Sequence, residues 1–219
     1  ILTVTNDKVV ATLVADELFD IYILDGKLDK ANELISQVLK TNIEFYANDS
    51  YLANKKINKL IDAGMPEHAS EILKELLLRT TKEDSIEDFK YKLANTYMLM
   101  YDRTNYYLEK AKDLYKDIIN DFPQGIHAQN AKMYIDEILM RQGFLTPSVV
   151  AAKYLESEAM QQKALLQELM NYKADKKFEL IMKTEKVYKK ISNEITKRFG
   201  YATINEIFDE VNIELIKDY

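Results

Sequence analysis

A gapless internal repeat constrains the fold of this chain more than any other feature. Residues 22–39 (YILDGKLDKANELISQVL) align with residues 60–77 (LIDAGMPEHASEILKELL), 38 positions further along. In both segments an alanine stands five residues after a glycine, and large apolar residues follow four and seven positions later. This spacing places an apolar stripe along one face of a helix. A short helical hairpin cannot bury such a stripe alone, so its repetition predicts stacked hairpins.

A third copy of the second helix stands at residues 111–125, AKDLYKDIINDFPQG. Ala111 is followed by Tyr115 and Ile118 at the same spacing, and Pro123 then ends the helix because the residue before a proline disfavours helical geometry. We expect the small alanine where the two helices of a hairpin approach most closely.

The composition favours an all-α fold. The chain of 219 residues contains only 5 glycines and 3 prolines, whereas a β-sandwich or barrel needs turn residues every 8–12 positions or so. Capping residues and helix-ending glycines predict ten helices. Their expected bounds are near 6–24, 28–41, 49–62, 66–79, 85–102, 106–121, 127–141, 147–171, 175–198 and 204–217.

The repeated pattern resembles the tetratricopeptide repeat, over roughly residues 12–142. Members of that family stack helical hairpins into a right-handed superhelix. The chain departs from the family pattern because it contains no tryptophan, and because the third unit has a longer turn. The matching positions are Leu18, Phe19, Tyr22, Gly26, Ala31, Ile35 and Val38 in the first unit, Ile57, Leu60, Gly64, Ala69, Leu73 and Leu76 in the second, and Leu93, Ala94, Tyr97, Ala111, Tyr115, Ile118 and Pro123 in the third.

Residues 114–139 are most similar to the repeats of bacterial envelope proteins. Such proteins include the outer-membrane assembly lipoprotein, the Tol–Pal coordinator and the paralysed-flagellum motor proteins. In their repeats the motif DFP precedes a helix with two alanines three positions apart, and Ala128 and Ala131 match this pattern.

The repeat pattern fades after Gly143. Two long amphipathic helices are predicted at 147–171 and 175–198, and the residues between them indicate either a turn that makes a hairpin or one continuous helix. We therefore divide the chain into helical repeats at 1–145 and a C-terminal helical extension or cap at 146–219.

The resemblance implies a concave surface lined by the first helix of each hairpin. In this family that surface binds extended peptides or a partner helix. Of the residues that the register places on it, Asn58 and Asn95 occupy equivalent positions and are suited to hydrogen-bond a ligand backbone. The full set is Asp16, Asp20, Asn54, Asn58, Tyr91 and Asn95. An alternative is that these side chains are only hydrated.

Tyrosines form a second candidate binding surface. Tyr101, Tyr106 and Tyr107 flank the long turn of the third unit and have no packing role in the motif. Tyrosine is enriched at interfaces because its rigid ring carries a polar tip.

Charge is distributed unevenly along the chain. Residues 173–198 contain nine Lys or Arg and four Asp or Glu, although the whole chain has a net charge of −6. The excess of cations is typical of a hydrated helix face. It also suits docking onto an acidic partner or an anionic lipid surface, in which Lys186 and Lys190 are the candidate contacts.

No motif for catalysis, cofactor binding or metal binding is present. Cysteine is absent, and His68 and His127 lack partners at ligand or triad spacing. The net negative charge disfavours nucleic-acid binding. The sequence thus predicts a protein that is not an enzyme, has no cofactor and no small-molecule substrate, and contacts membranes only indirectly.

The function hypothesis that follows is a protein–protein interaction scaffold of a bacterial envelope or flagellar-motor assembly, located in the periplasm. Its expected partner is another protein, such as a second helical-repeat or envelope protein. One alternative is a peptide-sensing tetratricopeptide regulator whose effector domain lies outside this fragment. A regulatory module of an envelope enzyme is another.

Overall fold

The computed structural model describes residues 7–100 and 105–217, and within these ranges the protein is helical and contains no strand. Helices that follow one another in the chain pack in pairs as tandem hairpins, which confirms the predicted fold class. The chain forms two compact units, Ile1–Tyr97 and Met98–Tyr219, whose boundary differs from the predicted division after residue 145. Residues 106–141 form a hairpin that shares a core with the C-terminal helices, because Met140 packs in one cluster with Val150, Met160 and Ala164. The helices are α1 (Lys8–Leu24), α2 (Leu28–Asn42), α3 (Glu44–Ala47), α4 (Ser50–Asp62), α5 (Pro66–Arg79), α6 (Glu83–Leu99), α7 (Tyr106–Asp121), α8 (Ala128–Arg141), α9 (Pro147–Lys153), α10 (Glu158–Ala174), α11 (Phe178–Lys183), α12 (Glu185–Tyr188), α13 (Asn193–Arg198) and α14 (Ile204–Lys217).

In the first unit, α1 packs on α2 and α4 packs on α5. Both first helices begin at an aspartate whose carboxylate accepts two backbone N–H bonds, Asp7 for α1 and Asp49 for α4. The short helix α3 was not predicted, and it packs against α4 and α5 with Tyr46 buried.

The alanines of the repeat lie where the helices meet. Ala31 and Ala69 have no exposed surface, and the larger residues four and seven positions later are buried as well. Any larger side chain at these alanines would separate the two helices, so the sequence period reflects the closest approach within each hairpin.

The hairpin turns close on a left-handed residue. Gly26 and Gly64 have φ of 70° and 75°, which glycine adopts without steric cost. The next residue then donates its N–H back into the helix, from Lys27 to the Tyr22 carbonyl and from Met65 to the Leu60 carbonyl, both at 2.8 Å. These bonds fix the angle at which the second helix starts.

The second unit begins with the hairpin of α7 and α8. Ala111, Tyr115 and Ile118 are buried, as the repeat predicted, and Pro123 follows the end of α7. After α8 the structure departs from the predicted helix bounds in two places.

The prediction of one continuous helix at 147–171 is wrong, because the structure divides this segment into α9 and α10. The Ser157 hydroxyl caps α10 by accepting a bond from the Met160 N–H at 3.3 Å. The Gln161 amide donates to the carbonyls of Ala151 at 2.7 Å and Tyr154 at 2.9 Å. Side chains thereby satisfy the backbone groups that a continuous helix would pair.

The helix predicted at 175–198 is likewise divided, into α11, α12 and α13. The Thr184 hydroxyl donates to the Leu180 carbonyl at 2.8 Å between α11 and α12, and the Ser192 N–H donates to the Gln162 side chain at 2.9 Å before α13. The breaks let this segment follow α10, which contacts all three short helices. Of the two alternatives for residues 171–175, the hairpin turn is therefore the one adopted.

Candidate functional site

A groove runs between α1 and α4, the first helices of the first two hairpins, and has a volume of about 320 Å³. Within it, Asp20 of α1 accepts a hydrogen bond from Lys59 of α4, which ties the two helices together across the groove. We call this space the α1/α4 groove. Its lining residues are Leu13, Val14, Asp16, Glu17, Asp20, Leu52, Lys55, Lys56 and Lys59.

An ion pair between a buried lysine and a half-buried aspartate forms the floor of the α1/α4 groove. The Lys56 Nζ lies 2.8 Å from the Asp16 carboxylate and 3.8 Å from the centre of the Phe19 ring, and the residue is 3% exposed. The Tyr46 hydroxyl also donates to Asp16. Burial lowers the pKa of Lys56, although Asp16 opposes that effect. The pair fixes the spacing of α1 and α4.

The side of α1 that faces away from the core is apolar. A helix normally exposes polar residues there, yet six apolar side chains of α1 are between 46% and 87% exposed. We call this surface the α1 face. Contiguous exposed apolar surface of this kind marks interaction sites. The α1 face consists of Val9, Val10, Leu13, Val14, Ile21 and Leu24.

The predicted binding residues of the first unit are not all brought together. Asp20 lines the α1/α4 groove, whereas Asn58 is exposed on α4 outside the residues that line it. Tyr91 and Asn95 are half-buried on α6, where the Asn95 amide donates to the Tyr91 carbonyl at 3.1 Å. Asn54, which the same register assigns to the concave surface, links α4 to α6 by accepting a bond from Lys92 at 2.9 Å.

The tyrosines of the second unit form a small surface cluster at the start of α7. The rings of Tyr106 and Tyr107 meet edge to face with centroids 5.0 Å apart, and the Lys110 ammonium lies 4.5 Å from the Tyr106 ring. Tyr106 is 57% exposed and Tyr107 is half-buried. Tyr101 lies outside the described residues.

The cations of residues 173–198 have two kinds of surroundings. Lys173, Lys177, Lys189 and Arg198 each lie within ion-pair distance of a carboxylate. Lys186 and Lys190 are exposed, and no carboxylate in the described ranges pairs with either. They do not belong to one long helix face, since α12 ends at Tyr188.

A second groove, which the sequence did not predict, lies between α11 and α14. It has a volume of about 620 Å³ and is lined by Glu179, Met182, Lys183, Leu215 and Ile216. Its walls are mainly apolar, and we call it the C-terminal groove. The sequence signal for this groove was Ile216, an apolar residue near the end of an amphipathic helix. In the structure Ile216 is exposed.

The second unit also contains a buried charge centre around Glu137. The Glu137 carboxylate lies 2.6 Å from both the Arg141 and the Lys163 nitrogens and 3.3 Å from Arg198. Burial disfavours ionisation of Glu137, but Arg198, Lys163 and Arg141 outweigh it and hold its pKa far below the usual range. Arg141 also stacks on Phe199, so the centre joins α8, α10 and the end of α13.

One polar cluster in the first unit has residue types found in nucleophilic triads. His68 Nε2 lies 3.3 Å from Ser36 Oγ and 2.8 Å from Asn32 Oδ1, and its Nδ1 lies 3.8 Å from Glu71. A triad needs Nε2 to accept from the serine and Nδ1 to donate to the acid. Here Nε2 is closer to an amide oxygen, which needs a proton on Nε2, and the acid is beyond hydrogen-bond distance. The cluster links α2 to α5.

Neither a metal site nor a membrane-spanning helix is found in the part of the chain that the structure describes. Within residues 7–100 and 105–217, no group of three or more acidic or histidine side chains is arranged to hold a metal ion. Over the same ranges, no helix is both long enough and apolar enough to cross a bilayer.

Comparison with known proteins gives no assignment: no family model matches the chain, and no curated protein matches it. The tetratricopeptide resemblance therefore stays a prediction from the sequence.

Proposed function

We propose that the chain is a non-enzymatic scaffold that binds another protein through the α1 face and the adjoining α1/α4 groove. The observation that carries this proposal is the α1 face, where six apolar side chains of one helix are exposed. Their exposure to water is unfavourable, and a partner that covers them gains the hydrophobic free energy of burial.

The rigidity of the surface supports the same proposal. The Asp16–Lys56 pair and the Asp20–Lys59 bond hold α1 against α4, so the surface is formed before a partner arrives. A preformed surface loses less conformational entropy on binding.

We place the scaffold in a bacterial envelope or flagellar-motor assembly, in the periplasm. The resemblance of residues 114–139 to envelope repeats supports this context. The expected partner is a second helical-repeat or envelope protein.

Affinity capture from the source cell tests the proposal, with the bound proteins identified by mass spectrometry. The chain is compared with the double variant Leu13→Glu, Val14→Glu, which places two charges in the α1 face. Leu78→Glu is the matched control, because Leu78 is 81% exposed on α5, outside the α1 face. We expect one partner that is retained by the control and lost from the double variant.

Two further variants locate the interface if the double variant keeps its partner. Tyr106→Ala with Tyr107→Ala tests the tyrosine cluster, and Lys186→Glu with Lys190→Glu tests the unpaired cations. If the partner is lost from either of these two variants but kept by the Leu13→Glu, Val14→Glu variant, the interface does not lie on the α1 face.

A peptide-sensing regulator is the second candidate, and the α1/α4 groove favours it. Its charged walls, with Glu17 on α1 and Lys55 on α4, suit the polar backbone of an extended peptide. Capture of short peptides rather than a folded protein would support this candidate.

A further inference from the structure

Another cavity of the second unit lies where the end of α8 and the second half of α10 meet the end of α13. It has a volume of about 380 Å³, which is within the range of cavities that enclose small organic ligands. The proposed function uses none of its described lining residues. We call it the α10/α13 cavity.

The walls of the α10/α13 cavity are partly apolar. Met170 and Ala174 of α10 line it, and so does Phe199 at the end of α13. The Arg141 guanidinium stacks on the Phe199 ring, 3.7 Å from its centre, and so holds the ring in place. Carbon atoms of a ligand that replace water against these side chains gain hydrophobic free energy. The cavity therefore suits a ligand with an apolar body.

Two polar side chains of the lining can each donate a further hydrogen bond. The Lys173 ammonium donates to the Glu210 carboxylate and, at 3.2 Å, to the Tyr201 hydroxyl. An ammonium has three N–H groups, so one remains for a ligand. The Gln167 amide uses one of its two N–H groups toward the Asn171 side chain, at 2.9 Å. Its second N–H suits another polar atom of the same ligand.

The buried charge centre adds positive charge to the α10/α13 cavity. Arg141 lines the cavity, and its side chain is 1% exposed. The Glu137 carboxylate that pairs with Arg141 is shared with Lys163 and Arg198. Among the described residues, one negative charge therefore serves three cations, in surroundings where water screens charge weakly. No carboxylate lines the cavity within the described ranges.

The carboxylates of neighbouring elements are each engaged by a group of their own. Glu210 offsets the charge of Lys173. Glu214 lies 2.6 Å from a lysine three positions later in α14. Glu168 accepts a bond from a tyrosine of α12, which does not line the cavity. These carboxylates therefore leave the excess of positive charge around Glu137 in place.

We propose that the α10/α13 cavity binds a small organic carboxylate. The carboxylate accepts the remaining N–H of Lys173, and the apolar body of the ligand packs against Met170 and Phe199. Buried Arg141 contributes positive potential behind the site. A carboxylate fits better than a phosphate, because a phosphate dianion brings a second charge and further oxygens that need donors. The site is separate from the protein-binding surface of the first unit.

Isothermal titration calorimetry of the purified chain tests the proposal with small carboxylates as probes. The probes are benzoate, phenylacetate and hexanoate, and each is compared with its neutral amide and with inorganic phosphate. We expect at least one carboxylate to bind one site per chain with a Kd below about 1 mM. Its amide should bind at least about tenfold more weakly, because it cannot form the charge-assisted bond to Lys173.

Two variants assign the binding to the cavity. Lys173→Gln removes the cation and should weaken carboxylate binding by about tenfold or more. Ala174→Trp places a ring at an exposed position of the lining and should abolish binding. Lys177→Gln is the matched control, because it makes the same charge change at an exposed lysine outside the lining. Circular dichroism checks that each variant folds, and Ala174→Trp carries the test if Lys173→Gln does not.

Four results would overturn the proposal. The first is that none of the three carboxylates binds at about 10 mM. The second is equal binding of a carboxylate and its amide, which shows an apolar cavity without anion recognition. The third is that phosphate binds as tightly as the carboxylate, which shows that the apolar walls contribute nothing. The last is binding that survives Ala174→Trp. None of these results affects partner capture by the α1 face, so the proposed function is tested separately.

Discussion

Each compact unit of the chain contains a small group of paired charged side chains around a buried member, and the two groups are balanced differently. In the first unit one carboxylate, Asp16, faces one ammonium, Lys56. In the second unit, among the described residues, the single carboxylate of Glu137 faces three cations. The first group joins two helices that already pack as repeats.

The second group joins helices that do not repeat. Glu137 on α8 contacts Lys163 on α10 and Arg198 at the end of α13, and the latter two lie where the repeat pattern has faded. In this region the repeat pattern does not determine how the helices pack. The Glu137 carboxylate instead links them through its three partners. The two units therefore depend to different degrees on a single side chain.

Replacing Glu137 tests this dependence and should have the largest effect. Glu137→Gln keeps the shape of the side chain but leaves three cations without their carboxylate. We expect the free energy of unfolding to fall by about 3–5 kcal/mol, as when a buried ion pair loses one partner. Urea denaturation followed by circular dichroism measures it.

Asp16→Asn is the matched variant in the first unit. It leaves one buried ammonium, which still contacts the Phe19 ring, so the expected loss is about 2 kcal/mol. Equal losses for the two variants would contradict the comparison, because they would show that the unequal balance of charge has no energetic consequence.

The charge group of the second unit should also make the stability of the protein depend on pH, through Lys163. Burial lowers the pKa of Lys163 from 10.5 to about 8, with Glu137 opposing the change and Arg198 adding to it. Between these two values the unfolded chain binds more protons at this residue than the folded chain. The contribution of Lys163 to the free energy of unfolding therefore rises with pH across that window.

The measurement is the stability difference between wild type and Lys163→Met at pH 7 and at pH 10. We expect wild type to gain on the order of 1–3 kcal/mol relative to the variant. Parallel curves for the two proteins would show that Lys163 keeps its ordinary pKa despite its burial.

A smaller effect is expected at a turn that the two units share. Residues 172–179 (YKADKKFE) match residues 22–29 (YILDGKLD), with Lys176 in the place of Gly26. Lys176 has φ of 57°, and Lys177 donates its N–H to the Tyr172 carbonyl at 2.9 Å, as Lys27 does to Tyr22. A lysine here bears a strain that glycine avoids.

Lys176→Gly should therefore stabilise the second unit by about 0.5–1 kcal/mol, and Gly26→Ala should destabilise the first by about 1 kcal/mol. Nothing lies within 4 Å of a Cβ built on Gly26, so the second effect comes from the backbone alone. Thermal unfolding measures both. The same sign for the two variants would contradict the equivalence of the turns.

The helices of the repeats could be predicted from the sequence because their signals are local. Capping residues, helix-ending glycines and apolar spacing all act within a few positions. The breaks at Ser157, Thr184 and Ser192 escaped prediction because the apolar pattern continues through them. Those breaks depend on hydrogen bonds such as that from the Ser192 N–H to Gln162, thirty positions away.

The candidate site was predictable only in part, for the same reason. Asp20, which the register assigns to the concave surface, lines the α1/α4 groove, whereas Asn58 lies outside the residues that line it. The α1 face was missed because α1 is apolar on both sides, and an apolar sequence alone does not distinguish its exposed side from its buried side. The charge centre needed residues up to 61 positions apart.

The pairing of helices that are neighbours in the sequence also affects the order in which the protein folds during synthesis. The helix pairs α1 with α2, α4 with α5 and α7 with α8 each close over a short turn, so contacts between them lose little chain entropy on formation. A ribosome releases the chain from its N-terminus, and each hairpin can form once its second helix has emerged. The charge centre forms later, because Arg198 follows Glu137 by 61 positions. The first unit is thus expected to reach its native packing during translation before the second.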